Sequence, residues 1–466
     1  MVTAKLPMKV PGPQTPQLLQ KLQWVRDPVG YMETASRDYP EVFAAQVVGF
    51  GNHLIFVNNP QAIKYILTHD TQEFFASGEM NGILKPLVGD YSVILLEGDR
   101  HRNQRKLLMP PFHGERMRAY GNLICDLSDK VMSQFAPGET FVARFAMQEI
   151  SLQIILQAVF GLYEGERAQK IKQAIQSLLE LFNSPLRSSF LFFPRLQIDL
   201  GSWSPWGYFQ RLYREVEKLL YAEIEERRQH PDGDREDILS LLMSARDEAG
   251  NPMSNVELRD ELLTLLFAGH ETTATAMTWA LYWVHHHPEV GEKLRAELAT
   301  LEENPDPMSI FRLPYLTAVC NETLRIYPVA MLTFPRVVCE PMELLGYDLE
   351  PGTAVVGCIH LLHQREDLYP QPDKFKPERF LERQFSPYEF LPFGAGVRRC
   401  IGAALAQYEM KLGLATILSH YELALAQPNP VKPERRGVTL APRGGVKMKF
   451  LGKTEKKLTS PATAMV

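Results

Sequence analysis

The run Phe393-Gly394-Ala395-Gly396-Val397-Arg398-Arg399-Cys400-Ile401-Gly402 sets one cysteine in surroundings suited to a thiolate. Gly394, Gly396 and Gly402 allow backbone angles and close approaches that a Cβ resists, so a flat group can lie against this loop. Ala403, Ala404, Leu405, Ala406, Met410 and Leu412 then continue as a helix-forming run, which places Cys400 at or just before a helix N-terminus. The positive end of that helix and the guanidiniums of Arg398 and Arg399 favour ionised sulfur. An arginine two residues from the sulfur can also pair with a carboxylate on a bound cofactor. Such a thiolate suits haem iron. On this segment alone the alternative is an inert buried cysteine on a glycine-rich turn.

The remaining cysteines, Cys125, Cys320, Cys339 and Cys358, are far apart and form no C-x-x-C pair. Neither a zinc site nor a disulfide framework is therefore expected. With five cysteines in 466 residues and no secretory leader, the expected compartment is a reducing cytoplasm. Hydrophobic residues make up 45% of the chain and the net charge is -5, which offers no basic surplus for nucleic acid. Residues 1–16 carry Pro7, Pro11, Pro13 and Pro16 and no apolar run long enough to span a bilayer, so no transmembrane anchor is expected.

The elements that must position Cys400 are mostly helical. Apolar periodicity predicts helices over 117–133, 146–160, 166–181, 206–229 and 237–246, and strands near 42–48, 53–57, 333–338, 354–359 and 446–451. The longest helix, about 256–287, opens with Ser254 and Glu257 at capping-box spacing and closes before Pro288. Its length would be ~48 Å at 1.5 Å per residue. The stretch 262–283 is apolar on nearly every face and should be buried. Glu257, Arg259, Asp260, Glu261 and Glu271 interrupt the run too often for a membrane span.

Inside that helix lies Ala268-Gly269-His270-Glu271-Thr272-Thr273, an acid beside two hydroxyls. Burying them costs energy unless they are paired. Gly269 weakens the helix, and a threonine hydroxyl bonding back to the preceding turn can open a groove for a small ligand such as dioxygen. The competing reading is a packed helix whose polar groups are satisfied by neighbours.

Glu322 and Arg325 are three apart and would share one helix face. Spacing alone proves little, because Glu97/Arg100, Glu115/Arg118, Glu164/Arg167, Glu225/Arg228 and Glu292/Arg295 repeat it as ordinary solvated pairs. The setting distinguishes Glu322: its helix carries Leu316, Val319, Cys320, Leu324 and Ile326, ends before Pro328, and precedes the Cys400 loop.

The Cys400 run matches every fixed position of F-x-x-G-x-R-x-C-x-G, and so resembles the haem-binding loop of the cytochromes P450. Ala268 to Thr273 resembles the central-helix motif of that family, Glu322-Thr323-Leu324-Arg325 its E-x-x-R helix, and Pro377-Glu378-Arg379-Phe380 its P-E-R-F segment. His101 and Arg105, in Gly98-Asp99-Arg100-His101-Arg102-Asn103-Gln104-Arg105, stand at the spacing of a propionate-binding helix, and Arg336 follows Phe334-Pro335.

The resemblance implies a mainly α fold with a small β region, its long central helix over a buried haem b. It implies one domain over 17–452, between a proline-rich segment (1–16) and a polar, disordered tail (453–466). Cys400 would be the axial iron ligand, with Phe393, Gly394 and Ala268 bordering the haem and His101, Arg105, Arg336 and Arg398 on its propionates. Glu271 and Thr272 would deliver protons to dioxygen, while Glu322, Arg325 and Arg379 form a structural network. The implied activity is that of a cytoplasmic, monomeric monooxygenase. It would insert one oxygen atom of dioxygen into a fatty acid, alkane or terpenoid, in a branch closer to fatty-acid-hydroxylating and microsomal-like members.

With no flavin or iron–sulfur segment after Cys400, NAD(P)H-derived electrons are expected through a separate ferredoxin or flavodoxin and its reductase. That partner would dock near Arg399 and Lys411 unless both are merely solvated. The substrate pocket would draw on 77–95, 177–200, Ala268, 329–334 and the vicinity of Thr439. Phe190 to Phe193 would form an access channel, touch membrane as a peripheral contact, or belong to the core. Two other functions fit the same cofactor: a peroxide isomerase or dehydratase, whose members often lack the central-helix threonine present here, and a non-catalytic haem sensor.

Overall fold

The structure, a computed structural model, describes residues 9–454 except 50–52, 113–115, 164, 182–189, 192, 231–234 and 236. Its axis is the central helix Asn255–His286, of 32 residues. The reason for its start is local: Ser254 Oγ accepts from Glu257 N, while Ser254 N donates to Glu257 Oε2 at 2.8 Å. That reciprocal cap satisfies donors the first turn leaves open. Pro288 ends the run by opening the next helix, Pro288–Leu298. Around this axis pack the helices Ala143–Ala158, Pro314–Ile326 and Ala403–His420. Leu262, Leu263, Leu266, Trp279 and Leu281 are fully buried in the shared core. The observed bounds differ from the sequence-based helix by one residue at each end.

To one side stands a five-stranded sheet in the order Val42–Ala45, Leu54–Val57, Ala354–Gly357, Arg336–Val338, Phe74–Phe75. Only the pairing of Leu54–Val57 with Ala354–Gly357 is parallel, with Ile55 opposite Val355. Those two strands are buried throughout, because each face of the sheet has its own cluster. Ile55, Val57 and Val355 point to one side; Leu54, Phe56, Ala354 and Val356 point to the other, where Trp24 and Met32 wait. The division follows the period of two along a strand. A second sheet sets Lys447–Lys453 between Thr140–Val142 and Tyr421–Leu425.

Two boundaries need correction. The last strand runs through Lys453, which pairs with Tyr421, and Thr454 N donates to His420 O, so the ordered chain extends past 452. The rest of the expected tail, 455–466, lies outside the described residues. At the other end, the described part of the proline-rich segment is docked on the sheet: Ala44 N donates to Pro11 O at 2.8 Å. Helices Pro28–Asp38 and Pro60–Thr68 are too short to show in the apolar periodicity, although Asp27-Pro28 and Asn59-Pro60 are cap-and-proline starts. Among the described residues, no helix is long and apolar enough to cross a membrane.

Candidate active site

The cysteine loop closes on itself. Gly394 N donates to Leu391 O at 2.9 Å, Arg399 N to Gly396 O at 3.1 Å, and Cys400 N to Phe393 O at 2.9 Å. Gly394 and Gly396 take φ of 63° and 69°, a left-handed conformation that favours glycine. Gly402 caps the helix Ala403–His420. Cys400 is exposed, yet burial by the surrounding protein is the largest influence on its thiol and pushes its pKa up; Gly402 backbone, Arg105 and Arg399 oppose that and favour the thiolate. Within the protein alone the thiol form is thus preferred. Metal coordination deprotonates such a thiol outright.

Arg398, buried two residues before the cysteine, is held by four carbonyls: Nη1 donates to Val93 O and Ile94 O at 2.9 and 3.3 Å, and Nη2 to Ala76 O and Leu96 O at 2.7 and 2.6 Å. Its Nε is a buried donor without a partner among the described residues. Burial and the nearby Arg336 push Arg398 down to about 10. Arg336, at the start of its strand, donates through Nη2 to Asp70 Oδ2 at 2.9 Å and through Nη1 to Phe334 O at 2.9 Å. His101 lies buried on the helix Gly98–Leu108, where burial, then Arg398, Arg105 and Arg336, push it down to about 3 and keep the imidazole neutral. One turn on, half-buried Arg105 feels the sulfur of Cys400 and the charge of Arg399. Three segments far apart in sequence thus bring His101 and Arg105, Arg336, and Arg398 into one cluster, and Arg105 joins that cluster to the sulfur of Cys400.

On the central helix, Ala268 is exposed although the stretch around it is largely buried, so the helix offers accessible surface inside the core. Thr272 Oγ1 donates to Ala268 O at 2.5 Å, the back-bond expected of a threonine here, and the helix continues unbroken. Glu271 turns elsewhere. Its Oε2 accepts from Gln148 Nε2 at 2.5 Å and its Oε1 lies 3.7 Å from Arg144 Nη1, both on Ala143–Ala158. His270 reaches Gln148 O at 3.0 Å on the same side. The acid of the motif has the neighbouring partners that burial demands.

Behind the cysteine loop, Glu322 is fully buried and accepts from Arg325 Nε at 2.7 Å and Nη2 at 2.9 Å, from Arg379 Nε at 3.0 Å, and from Lys376 N at 2.8 Å. Arg325 also donates to His363 O at 2.8 Å and Pro372 O at 2.9 Å, so the pair fastens the chain leading to the loop. No such network forms at Glu97, which instead accepts from Ser77 Oγ and the backbone of Gly78 and Glu79.

Some features escaped sequence reasoning. Asp70 accepts from Arg336 and from Val397 N, the latter at 2.9 Å, joining the cation cluster to the cysteine loop. A polar seam also ties the central helix to the chain before His101: Tyr91 N donates to Asp260 Oδ2 at 2.8 Å, Val93 N to Glu261 Oε1 at 2.8 Å, and Thr264 Oγ1 to Ser92 Oγ at 2.7 Å. Gln104 Nε2 adds a bond to Glu261 Oε1 at 3.0 Å. One expectation fails: Lys411 is buried, its Nζ donating to Phe311 O at 3.1 Å over the Phe311 ring, so it is no surface docking residue. Arg399 is exposed. Phe190 and Leu191 are buried, Phe190 against Trp206 and Phe209, and Phe193 is exposed; Phe192 lies outside the described residues.

These residues fit a flat, dianionic iron macrocycle. Cys400 offers sulfur, Gly394 and Gly402 face open space where a Cβ would meet nothing within 4 Å, and the buried Arg398 Nε still needs an acceptor. Fold and donor set together have what a haem-binding protein requires. A family model described as Cytochrome P450 matches residues 10–450. The chain is 35% identical to cytochrome P450 135B1 of Mycobacterium tuberculosis, over 97% of this chain and 94% of that protein. It is 32% identical to cytochrome P450 138 of Mycobacterium bovis, over 95% of each. Of solved structures, retinoic acid-bound cyanobacterial CYP120A1 matches with a TM-score of 0.84 at 24% identity, over 97% of this chain and 100% of that one. The heme domain of cytochrome P450DA matches at 0.83 and 22%, over 97% and 99%; both likenesses concern the fold. The chain belongs to the cytochrome P450 family of haem monooxygenases.

Proposed function

We propose that the chain holds haem b on Cys400 and hydroxylates an apolar substrate, a long-chain fatty acid, alkane or terpenoid. NAD(P)H-derived electrons would come from a separate ferredoxin or flavodoxin and its reductase. The observation that carries this reading is the Cys400 sulfur beside Arg105, within a cluster whose other members are His101, Arg336 and Arg398. When bound, the haem supplies the one-electron and dioxygen chemistry, and thiolate ligation pushes electron density toward the iron. The catalytic unit would take in the docked segment at Pro11 and the last strand through Lys453 as well as 17–452.

The chain's own residues do the rest. His101, Arg105, Arg336 and Arg398 would hold the two propionates through charge-assisted bonds. Phe393 and Gly394 would border the haem, and Ala268, exposed on the central helix, would leave room beside it. Thr272 Oγ1 holds a proton that it donates to Ala268 O at rest, and a rotation about χ1 presents that proton to a water or ligand instead. Glu271, freed from its bond to Gln148, would take a proton from solvent water and pass it toward Thr272. Exposed Arg399 offers an acidic partner a complementary charge.

The test combines purified holoenzyme, a surrogate ferredoxin with its reductase, NADPH and dioxygen, with a substrate screen of fatty acids, alkanes and terpenes; retinoic acid belongs in it because a structural neighbour is named with it bound. Hydroxylated product in step with NADPH consumption supports the proposal. Rearranged peroxide without an electron donor would make the chain an isomerase or dehydratase, and binding without turnover would make it a sensor.

A further inference from the structure

A single carboxylate oxygen sits between the propionate-binding cations and the cysteine loop. Asp70 lies just beyond the helix Pro60–Thr68 and is buried, 6% exposed. Its Oδ2 accepts from Arg336 Nε at 3.2 Å, from Arg336 Nη2 at 2.9 Å and from Val397 N at 2.9 Å. The loop is shaped around that oxygen. A Cβ on Gly396 would come within 2.1 Å of Asp70 Oδ2, so glycine is required there for space as well as for its left-handed φ. Arg336 is oriented from both sides, since Nη1 also donates to Phe334 O. Its charge is felt at His101 and Arg398, so whatever fixes Arg336 fixes part of the field across the cluster.

We infer that Asp70 is a positioning residue for haem, acting through Arg336 and Val397. It aims the guanidinium, keeps the loop before Cys400 in register with it, and places one negative charge beside a cluster of cations. The inference rests on the haem-thiolate reading and adds a consequence: removing the Asp70 charge leaves Arg336 less compensated, and the more positive field favours the reduced iron. A residue that merely stabilised the fold would not shift the Fe(III)/Fe(II) equilibrium in that direction.

The experiment uses haem-loaded Asp70→Asn and Asp70→Glu proteins beside the unaltered chain. The reduced, carbon monoxide-bound spectrum is recorded first, because loss of the thiolate signature in the unaltered chain would defeat the underlying reading rather than this one. Reduction potential by mediated titration and haem transfer to apomyoglobin follow. Asp70→Asn is expected to favour the reduced state by three- to tenfold, up to about 59 mV for a one-electron couple, and to release haem several-fold faster. Asp70→Glu, which keeps the charge but moves it by a methylene, should hold the equilibrium within twofold while still releasing haem faster. A change below twofold in Asp70→Asn, or an equal shift in both variants, overturns the inference. If Asp70→Asn does not load haem, Asp70→Glu decides alone: faster release at an unchanged potential supports it, and unchanged release overturns it.

Discussion

Replacing Glu261 with glutamine perturbs the seam between the central helix and residues 91–93 at its most buried point. Glu261 Oε1 accepts from Val93 N and Gln104 Nε2, Oε2 has no partner among the described residues, and burial pushes the carboxyl up to about 8. An unfolded glutamate titrates near ~4.3. Between those values the native protein binds a proton that the unfolded chain has lost. Stability from this group is therefore full below the unfolded value and falls as pH rises toward 8, at about 1.4 kcal/mol per pH unit. From pH 5 to 7 that amounts to about 3 kcal/mol from one side chain.

Glutamine keeps the Oε1 acceptor and has nothing to titrate, so the stability difference, variant minus unaltered protein, should climb by the same amount. Other groups cancel in that difference, including His101 and His285, which burial pushes down to about 3 and about 4 and which act in the opposite sense below the unfolded histidine value. The assay is denaturant unfolding of both proteins at pH 5.5, 6.5 and 7.5, with a protonated-carboxyl infrared band assigned by isotope labelling. Parallel stability profiles, or no protonated carboxyl lost in Glu261→Gln, would refute the argument.

Glu322→Ala should remove haem-loaded soluble protein altogether, because it strands two buried guanidiniums, and breaking such a pair costs about 3–5 kcal/mol; normal yield and haem content would contradict this. Thr272→Ala should lower the fraction of NADPH electrons recovered in product several-fold while leaving the ferric spectrum intact, and unchanged coupling would defeat the proton role given to Thr272. Arg399→Glu should slow reduction by an acidic partner with a weaker salt dependence. Lys411→Met, which removes a buried ammonium, should leave that rate unchanged, as stopped-flow reduction can check.

The parts of the site legible in the sequence are those whose causes are local. The central helix shows itself through Ser254, Glu257 and Pro288, all at its own ends, and the Cys400 loop through glycines and arginines within ten residues. Glu322 was recognisable by the apolar face around it. What stayed hidden depends on contacts across the chain: Asp70 meets Arg336 at a separation of 266 residues and Val397 at 327, and Glu261 meets Val93 at 168. No spacing rule reaches that far. Lys411 was misjudged because its helix is buried on nearly every face, so that its ammonium ends on a carbonyl rather than in solvent. Glu271 shows the same limit, since Arg144 and Gln148 come from a helix the sequence could place but not dock.

The proposed chemistry turns on whether the sulfur of Cys400 is the iron's axial ligand. The most direct measurement is the absorption spectrum of the reduced, carbon monoxide-bound protein beside that of Cys400→His. The unaltered protein should show the red-shifted Soret band of thiolate ligation and the variant should show the unshifted band of a histidine-ligated haem. An unshifted band in the unaltered protein, or a red shift that survives in Cys400→His, would contradict the account.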